Sequence, residues 1–225
     1  MKVLSVVGAR PNFMKISPLI NEFKKYNIEQ ILVHTGQHYD KAMSDPFFSE
    51  LDIPNPDVNL GVGSGSHAEQ TGRIMIKFER VIMDENPNLV IVVGDVNSTI
   101  ACALTACKLG IKVGHIEAGL RSFDRTMPEE INRLLTDQIS DYLFVTERSG
   151  LINLQNEGIS RDRIFFVGNI MIDTLINNKD KILKSHILEE LNLKRKGYGL
   201  LTLHRPSNVD NKETLMNIIK ILEEI

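Results

Sequence analysis

Only two cysteines occur in the 225 residues, Cys102 and Cys107, and no Cys-x-x-Cys spacing joins them. Both fall in one expected helix and are read as small packing residues rather than a redox or metal pair. The six histidines show no metal-ligand spacing, so no metal site is expected. The net charge is only −3, which gives no support to binding of nucleic acid or an anionic membrane. No apolar run approaches the length of a membrane span. The opening MKVLSVVGAR is apolar too briefly for a signal peptide, and a cytoplasmic location is the default expectation. Internal repeats and low-complexity segments are also missing. What is present is a globular composition, 42% hydrophobic and 24% charged, able to bury a real core. The length suits one large domain or one and a half ordinary ones.

The stretch 89–121, LVIVVGDVNSTIACALTACKLGIKVGHIEAGLR, organises the chain. Its first five residues are a continuous apolar run, as in a strand covered on both faces. Gly94 breaks the run, and Asn97 or Ser98 can cap a helix that continues to Leu109. Gly110 closes that helix, and 112–116 is a second strand. A parallel pair with a crossover helix puts Asp95 and Glu117 just past two carboxyl strand ends. Open α/β sheets bind ligands at that edge, and two carboxylates there are good acid–base candidates.

The first expected strand, 2–7, opens into Gly8-Ala9-Arg10-Pro11, which is neither Gly-x-Gly-x-x-Gly nor a P-loop. Ser17 and Pro18 read as the cap and first position of a helix running to Lys25. Arg10 and Lys15 lie at the same edge as Asp95 and Glu117, which suits an anionic substrate. A second strand, 29–34, leads into a polar loop carrying Gln37, His38, Tyr39 and Asp40. The glycine-rich run 61–65 precedes a helix rather than following a strand and is read as a mobile loop. Ser66-His67-Ala68-Glu69 matches the capping box, and Ile74, Met75, Phe78, Val81 and Ile82 form the buried stripe behind it.

Pro128 suits the first turn of the next helix, with Ile131, Leu134, Leu135 and Ile139 expected as its buried face. Glu129 and Glu130 suit the helix dipole, and Arg133 can pair with either at helical spacing. A strand at 141–145 follows, then a helix from a Thr146 cap to Gly158, then a strand at 163–167. The expected divisions are a Rossmann-like domain at 1–169, a lysine-rich helical connector at 170–196, and the start of a second Rossmann-like domain at 197–225. A strand at 199–203 and an amphipathic helix at 213–225 open that second domain. One strand and one helix cannot bury their own apolar face, so the second domain is expected to be incomplete.

Read together, these residues resemble the non-hydrolysing UDP-N-acetylglucosamine 2-epimerases. The matching runs are Gly8-Ala9-Arg10-Pro11 with Lys15, Gly36-Gln37-His38, Gly94-Asp95, Gly114-His115-Ile116-Glu117-Ala118-Gly119-Leu120-Arg121, Pro128-Glu129-Glu130-Ile131-Asn132-Arg133, Gly168-Asn169 with Asp173, and His204-Arg205-Pro206-Ser207-Asn208. They span the chain in the family's order. The resemblance implies a two-domain fold of the glycosyltransferase-B type, with substrate in the cleft. It implies reversible conversion of UDP-GlcNAc to UDP-ManNAc, through UDP elimination to a 2-acetamidoglucal and re-addition, with no NAD and no required metal. Asp95, Glu117, Glu129 and His204 match catalytic positions, and Glu117 is the first choice for acid–base work. Arg10, Lys15, Arg133 and Arg205 match substrate-binding positions that hold the diphosphate. Gln37 and His38 match positions that contact an activating second UDP-GlcNAc.

Family members continue through the rest of a second domain carrying most of the uridine pocket, which this sequence does not contain. The resemblance also implies a homodimer in full-length form, a role in cell-surface polysaccharide biosynthesis, and the option of a separate C-terminal fragment as partner. Two other readings stay open. One is a related epimerase of the hydrolysing or diacetamido-uronate type. The other is an inactive nucleotide-sugar-binding fragment.

Overall fold

The computed structural model describes residues 1–37, 50–203 and 206–224. The chain divides into two compact units, Met1–Lys179 and Asp180–Ile225. The first is a seven-stranded sheet, all neighbours parallel. Its strands are β1 (Lys2–Val7), β2 (Glu29–His34), β3 (Val58–Asn59), β4 (Leu89–Val93), β5 (Lys112–Ala118), β6 (Tyr142–Val145) and β7 (Ile164–Phe166), in the spatial order β3-β2-β1-β4-β5-β6-β7. The Rossmann-like parallel sheet expected from the sequence is therefore present. The order reverses between β1 and β4, and the crevice outside the carboxyl ends there is where such sheets take ligands.

Both faces of the sheet are covered, as continuous apolar strands require. On one face, α2 (His67–Glu85) and α3 (Asn97–Lys108) pack on Leu4, Val6, Val90, Val92 and Val113. The expected stripe is there: Ile74, Phe78 and Ile82 are buried, with Met75 and Val81 packed beside them. Each such side chain contributes about 1.5–3 kcal/mol by leaving water. On the other face, α1 (Arg10–Lys25) places Phe13, Ile16 and Ile20 against Val3, Val7, Ile91 and Val93. The remaining helices of this unit are α4 (Pro128–Ile139), α5 (Arg148–Asn156) and α6 (Ile170–Asn177). Helix α6 packs on α1, so the compact unit runs to Lys179, past the boundary expected at 169.

Helix α1 starts at Arg10, well before the expected cap at Ser17. Pro18 lies in its interior and has no N–H to offer the carbonyl one turn back, that of Met14. The hydroxyl of Thr174, from α6, donates to that carbonyl instead. A long-range partner therefore satisfies the carbonyl that Pro18 leaves without a helical donor. The Ser66–Glu69 capping box forms as expected, and α2 ends on Asn86 in the left-handed conformation.

Other expectations are corrected. The N-cap of α3 is Val96, and neither Asn97 nor Ser98 caps it. Gln37 arrives from the end of β2, and its side-chain oxygen accepts from the Ser98 amide and hydroxyl. The N-cap of α5 is Glu147 rather than Thr146. Residues 61–65 form neither helix nor strand, and the start of the run is anchored. Val62 and Gly63 donate backbone hydrogen bonds to Thr35 and Gly36, and Gln70 and Lys77 hold the carbonyls of Gly63 and Leu60. The fully buried residues of α4 are polar, Glu130, Thr136 and Asp137; of the expected face, Ile139 packs against the core, Ile131 and Leu134 are half-buried, and Leu135 is exposed.

The second unit carries α7 (Lys179–Leu183, its first residue in the first unit), α8 (Ile187–Glu190), α9 (Pro206–Val209) and α10 (Lys212–Glu223). The amphipathic helix expected near the end is α10, with Met216, Ile219 and Leu222 exposed. Residues 199–203 form no strand, because no strand among the described residues pairs with them. No helix of the described residues is long and apolar enough to cross a membrane.

Candidate active site

At the carboxyl edge of the sheet, Lys15 and Glu117 form an ion pair through the ammonium and one carboxylate oxygen. Both are largely buried, at 9% and 18% side-chain exposure. Lys15 is carried by α1, whose start is clasped by Asn12. The Asn12 carboxamide oxygen accepts from the Gly8 and Ala9 amides, and its nitrogen donates to the Val93 carbonyl. The Gly8 and Ala9 amides are thereby occupied, so this turn is a strut between β1 and β4, not an open phosphate cradle.

The sequence pattern puts Glu117 just past its strand, but it lies inside β5, on a bulge where pairing with β6 shifts register between Ile116 and Ala118. Its φ is +74°, the left-handed region that L residues avoid. Bulges re-aim a side chain next to functional sites, and strained backbone collects there. The bulge points the Glu117 carboxylate at Lys15 and toward Gly94, whose ideal Cβ position is 3.5 Å from both the Glu117 oxygen and the Lys15 nitrogen.

Asp95 follows Gly94 directly and is held from α4. The Arg133 guanidinium contacts its carboxylate at 2.8–2.9 Å, and Asn132 donates to its carbonyl at 2.8 Å. Arg133 also pairs with Glu130 at 2.8 Å, the helical pairing the spacing allowed. Glu130 is buried and accepts from the Ser122 amide and hydroxyl and from the Phe123 amide. Burial alone would raise its pKa. The Ser122 and Phe123 donors and the Arg133 charge outweigh burial and hold it below the ordinary value. Glu129, in the same first turn, has no side-chain hydrogen bond or ion pair among the described residues.

Arg10 is exposed at the start of α1. Gln37 is buried as the partner of α3, beside the Thr35–Ser98 hydroxyl pair. From there a polar chain runs through Gln70, Asn97 and His67 to Asn132. His38, His204 and Arg205 lie outside the described residues. The structure thus brings Lys15, Asp95, Glu117 and Arg133 to one edge.

Sequence reasoning gave no role to His115 or Asp137, both fully buried behind Glu117. His115 Nδ1 lies 2.6 Å from Asp137, and Nε2 lies 2.7 Å from the Gly94 carbonyl. The other Asp137 oxygen takes the Gly119 amide at 3.0 Å and Arg121 at 2.8 Å, and Arg121 continues to Glu157. Burial pushes the Asp137 pKa up, but His115 and Arg121 more than offset it, and the carboxyl is held below its usual range. A histidine inside an otherwise apolar strand was the available signal. Among the described residues no cluster could hold a metal ion. Cys102 is buried, which pushes its thiol well up and keeps it inert, while Cys107 is exposed.

A UDP-N-acetylglucosamine 2-epimerase homologue of Methanococcus maripaludis is 53% identical over the whole chain, which covers 63% of that relative. The UDP-2,3-diacetamido-2,3-dideoxy-D-glucuronate 2-epimerase of Pseudomonas aeruginosa is 44% identical, again over the whole chain and 63% of the relative. The crystal structure of Methanocaldococcus jannaschii UDP-GlcNAc 2-epimerase, in complex with UDP-GlcNAc and UDP, superposes with a TM-score of 0.90 at 47% identity. That match covers all of this chain and 62% of the other. The chain thus spans just under two thirds of the length of these relatives. Residues 21–225 match the family described as UDP-N-acetylglucosamine 2-epimerase, and the chain belongs to that family.

Proposed function

We propose that the protein interconverts UDP-GlcNAc and UDP-ManNAc. The observation that carries this reading is the Lys15–Glu117 pair on a strained bulge, beside Asp95 at the topological switch point. Removing the C2 proton of a sugar needs a positioned carboxylate. In the forward step Glu117 accepts that proton, the C1–O bond breaks, and the bonding pair leaves with UDP. A 2-acetamidoglucal with a C1=C2 double bond results. In the return step a UDP oxygen bonds to C1 while a proton reaches C2 from the opposite face, giving the other epimer with atoms and charge balanced. Asp95, beside the Lys15–Glu117 pair, and Glu129, by its match to the family's motif, are the other carboxylates assigned to the second proton transfer. Lys15 and Arg10 supply positive charge for the departing diphosphate, and His204 and Arg205 join them by their match to the family's motif. Arg133 is engaged by Asp95 and Glu130, so it serves the site by holding Asp95. Gln37 and His38 are assigned to an activating second UDP-GlcNAc. The same reading places the protein in the cytoplasm, as a homodimer in its full-length form, supplying cell-surface polysaccharide synthesis.

A second reading, epimerisation of a UDP-2,3-diacetamido uronate, rests on the Pseudomonas relative, of similar identity and equal coverage. The test is proton NMR of each UDP-sugar incubated with the chain. It is run with the chain alone and with a chimaera carrying the C-terminal part of the Methanocaldococcus relative. UDP-ManNAc from UDP-GlcNAc is expected. Turnover of the uronate alone would select the second reading. Free ManNAc would point to hydrolysis, and no product in either form would refute both epimerase readings.

A further inference from the structure

We propose that Asp137 and His115 are positioning residues that set both carboxylate-bearing turns of the site at once. The inference rests on the epimerase reading only for what the turns do, not for how they are held. Glu117 sits between His115 and Gly119 in the chain. The Asp137 carboxylate grips both flanks, one oxygen facing His115 Nδ1 at 2.6 Å and the other receiving the Gly119 amide at 3.0 Å. It therefore brackets the one residue of β5 with a left-handed backbone. His115 then reaches out of β5 with Nε2, 2.7 Å from the carbonyl of Gly94, the residue before Asp95. A single buried carboxylate, through one imidazole, links the Glu117 bulge to the Asp95 turn on the neighbouring strand.

The chemistry of the ring follows from its neighbours. A carbonyl can only accept, so Nε2 carries a proton. Asp137 also receives the Arg121 guanidinium and the Gly119 amide, which favours the ionised carboxylate, so Nδ1 donates as well. The groups facing His115 and Asp137 are thus Gly94, Gly119 and Arg121, with Glu157 behind Arg121. A ring that donates from both nitrogens is a rigid strut, which a ring with one donor is not. The strut matters because a misplaced reacting group loses rate steeply, about a hundredfold for about 1 Å.

The test uses the chain labelled with 15N at histidine and at backbone amides. Wild type is expected to show both His115 ring nitrogens protonated. Asp137→Asn is expected to lose the Nδ1 proton and to shift the Glu117, Gly119 and Asp95 amides, leaving those of β2 in place. H2 exchange of UDP-GlcNAc in heavy water should fall about tenfold or more, with UDP affinity changed by less than about threefold. His115→Gln, which keeps one donor for Gly94, is the second variant should Asp137→Asn fail to fold. It is expected to shift the Glu117 and Gly119 amides and to move that of Asp95 less. Retention of both ring protons in Asp137→Asn, or unmoved Glu117 amides in a folded variant, would overturn the proposal. Amide shifts as expected, with no H2 exchange by wild type either alone or as the chimaera, would support the strut and refute the epimerase reading instead.

Discussion

Replacing Glu117 by alanine and by glycine separates what its backbone costs from what its side chain does. Both changes remove the Lys15 ion pair to the same extent. Each leaves an ammonium that is only 9% exposed without its counter-charge, a loss of about 1–3 kcal/mol relative to wild type. The difference between the two variants then reports the backbone alone. In an ordinary strand position glycine is less stable than alanine by about 0.5–1 kcal/mol. At φ +74° the order reverses, because a Cβ in the left-handed region costs about 1–2 kcal/mol. Glu117→Gly is therefore expected to be more stable than Glu117→Ala by about 1 kcal/mol, which is about 2–4 °C in Tm for a chain of this size. Urea unfolding of the two variants, at equal m-value, reads the difference as a shift in midpoint. If Glu117→Ala proved as stable as Glu117→Gly, that would refute the strained bulge, and with it the reason Glu117 points at Lys15.

Two further outcomes follow from buried polar groups. Thr174→Val should cost about 1 kcal/mol by leaving the Met14 carbonyl without its donor. The loss should be smaller in a Pro18→Ala background, where residue 18 regains its own N–H, so a double-mutant cycle by urea unfolding measures the coupling. Asp137 and Glu130 both have folded pKa values held below the ordinary 3.8 and 4.5. Their contribution to stability is present above those unfolded values and is lost as pH falls through the lower folded ones. Urea midpoints taken from about pH 5 down to about pH 3 should fall in wild type and fall less steeply in Asp137→Asn.

The alternation of apolar runs and helical stripes was enough to place every strand of the sheet except the two-residue β3. It also placed Asp95 and Glu117 on one edge, since each sits within two residues of an expected strand's carboxyl end, with Lys15 in the helix that follows the first strand. What stayed hidden depended on partners distant in sequence. Pro18 reads as a helix start because its rescue by Thr174 comes from 156 residues away along the chain. Helix α4 shows an apolar stripe at Ile131, Leu134, Leu135 and Ile139, of which Ile139 packs on the core, yet its fully buried residues are Glu130, Thr136 and Asp137. Glu130 and Asp137 find their partners in β5 and in the loop after it, and hydropathy cannot see satisfied polar groups. The bulge at Glu117 has no local signature either, because a glutamate in the left-handed region is held there by Asp137, Gly119 and Lys15 together.

The central claim is that Glu117 exchanges a proton with C2 of the sugar. Its most direct test is the rate at which H2 of UDP-GlcNAc is replaced by deuterium in heavy water, with wild type and Glu117→Gln compared in the same form of the protein. Glutamine keeps the size and the strained backbone but cannot accept the proton. The expected result is exchange by wild type and a fall of about a hundredfold or more in Glu117→Gln, with UDP still bound. Exchange by Glu117→Gln at a rate near wild type would contradict the assignment.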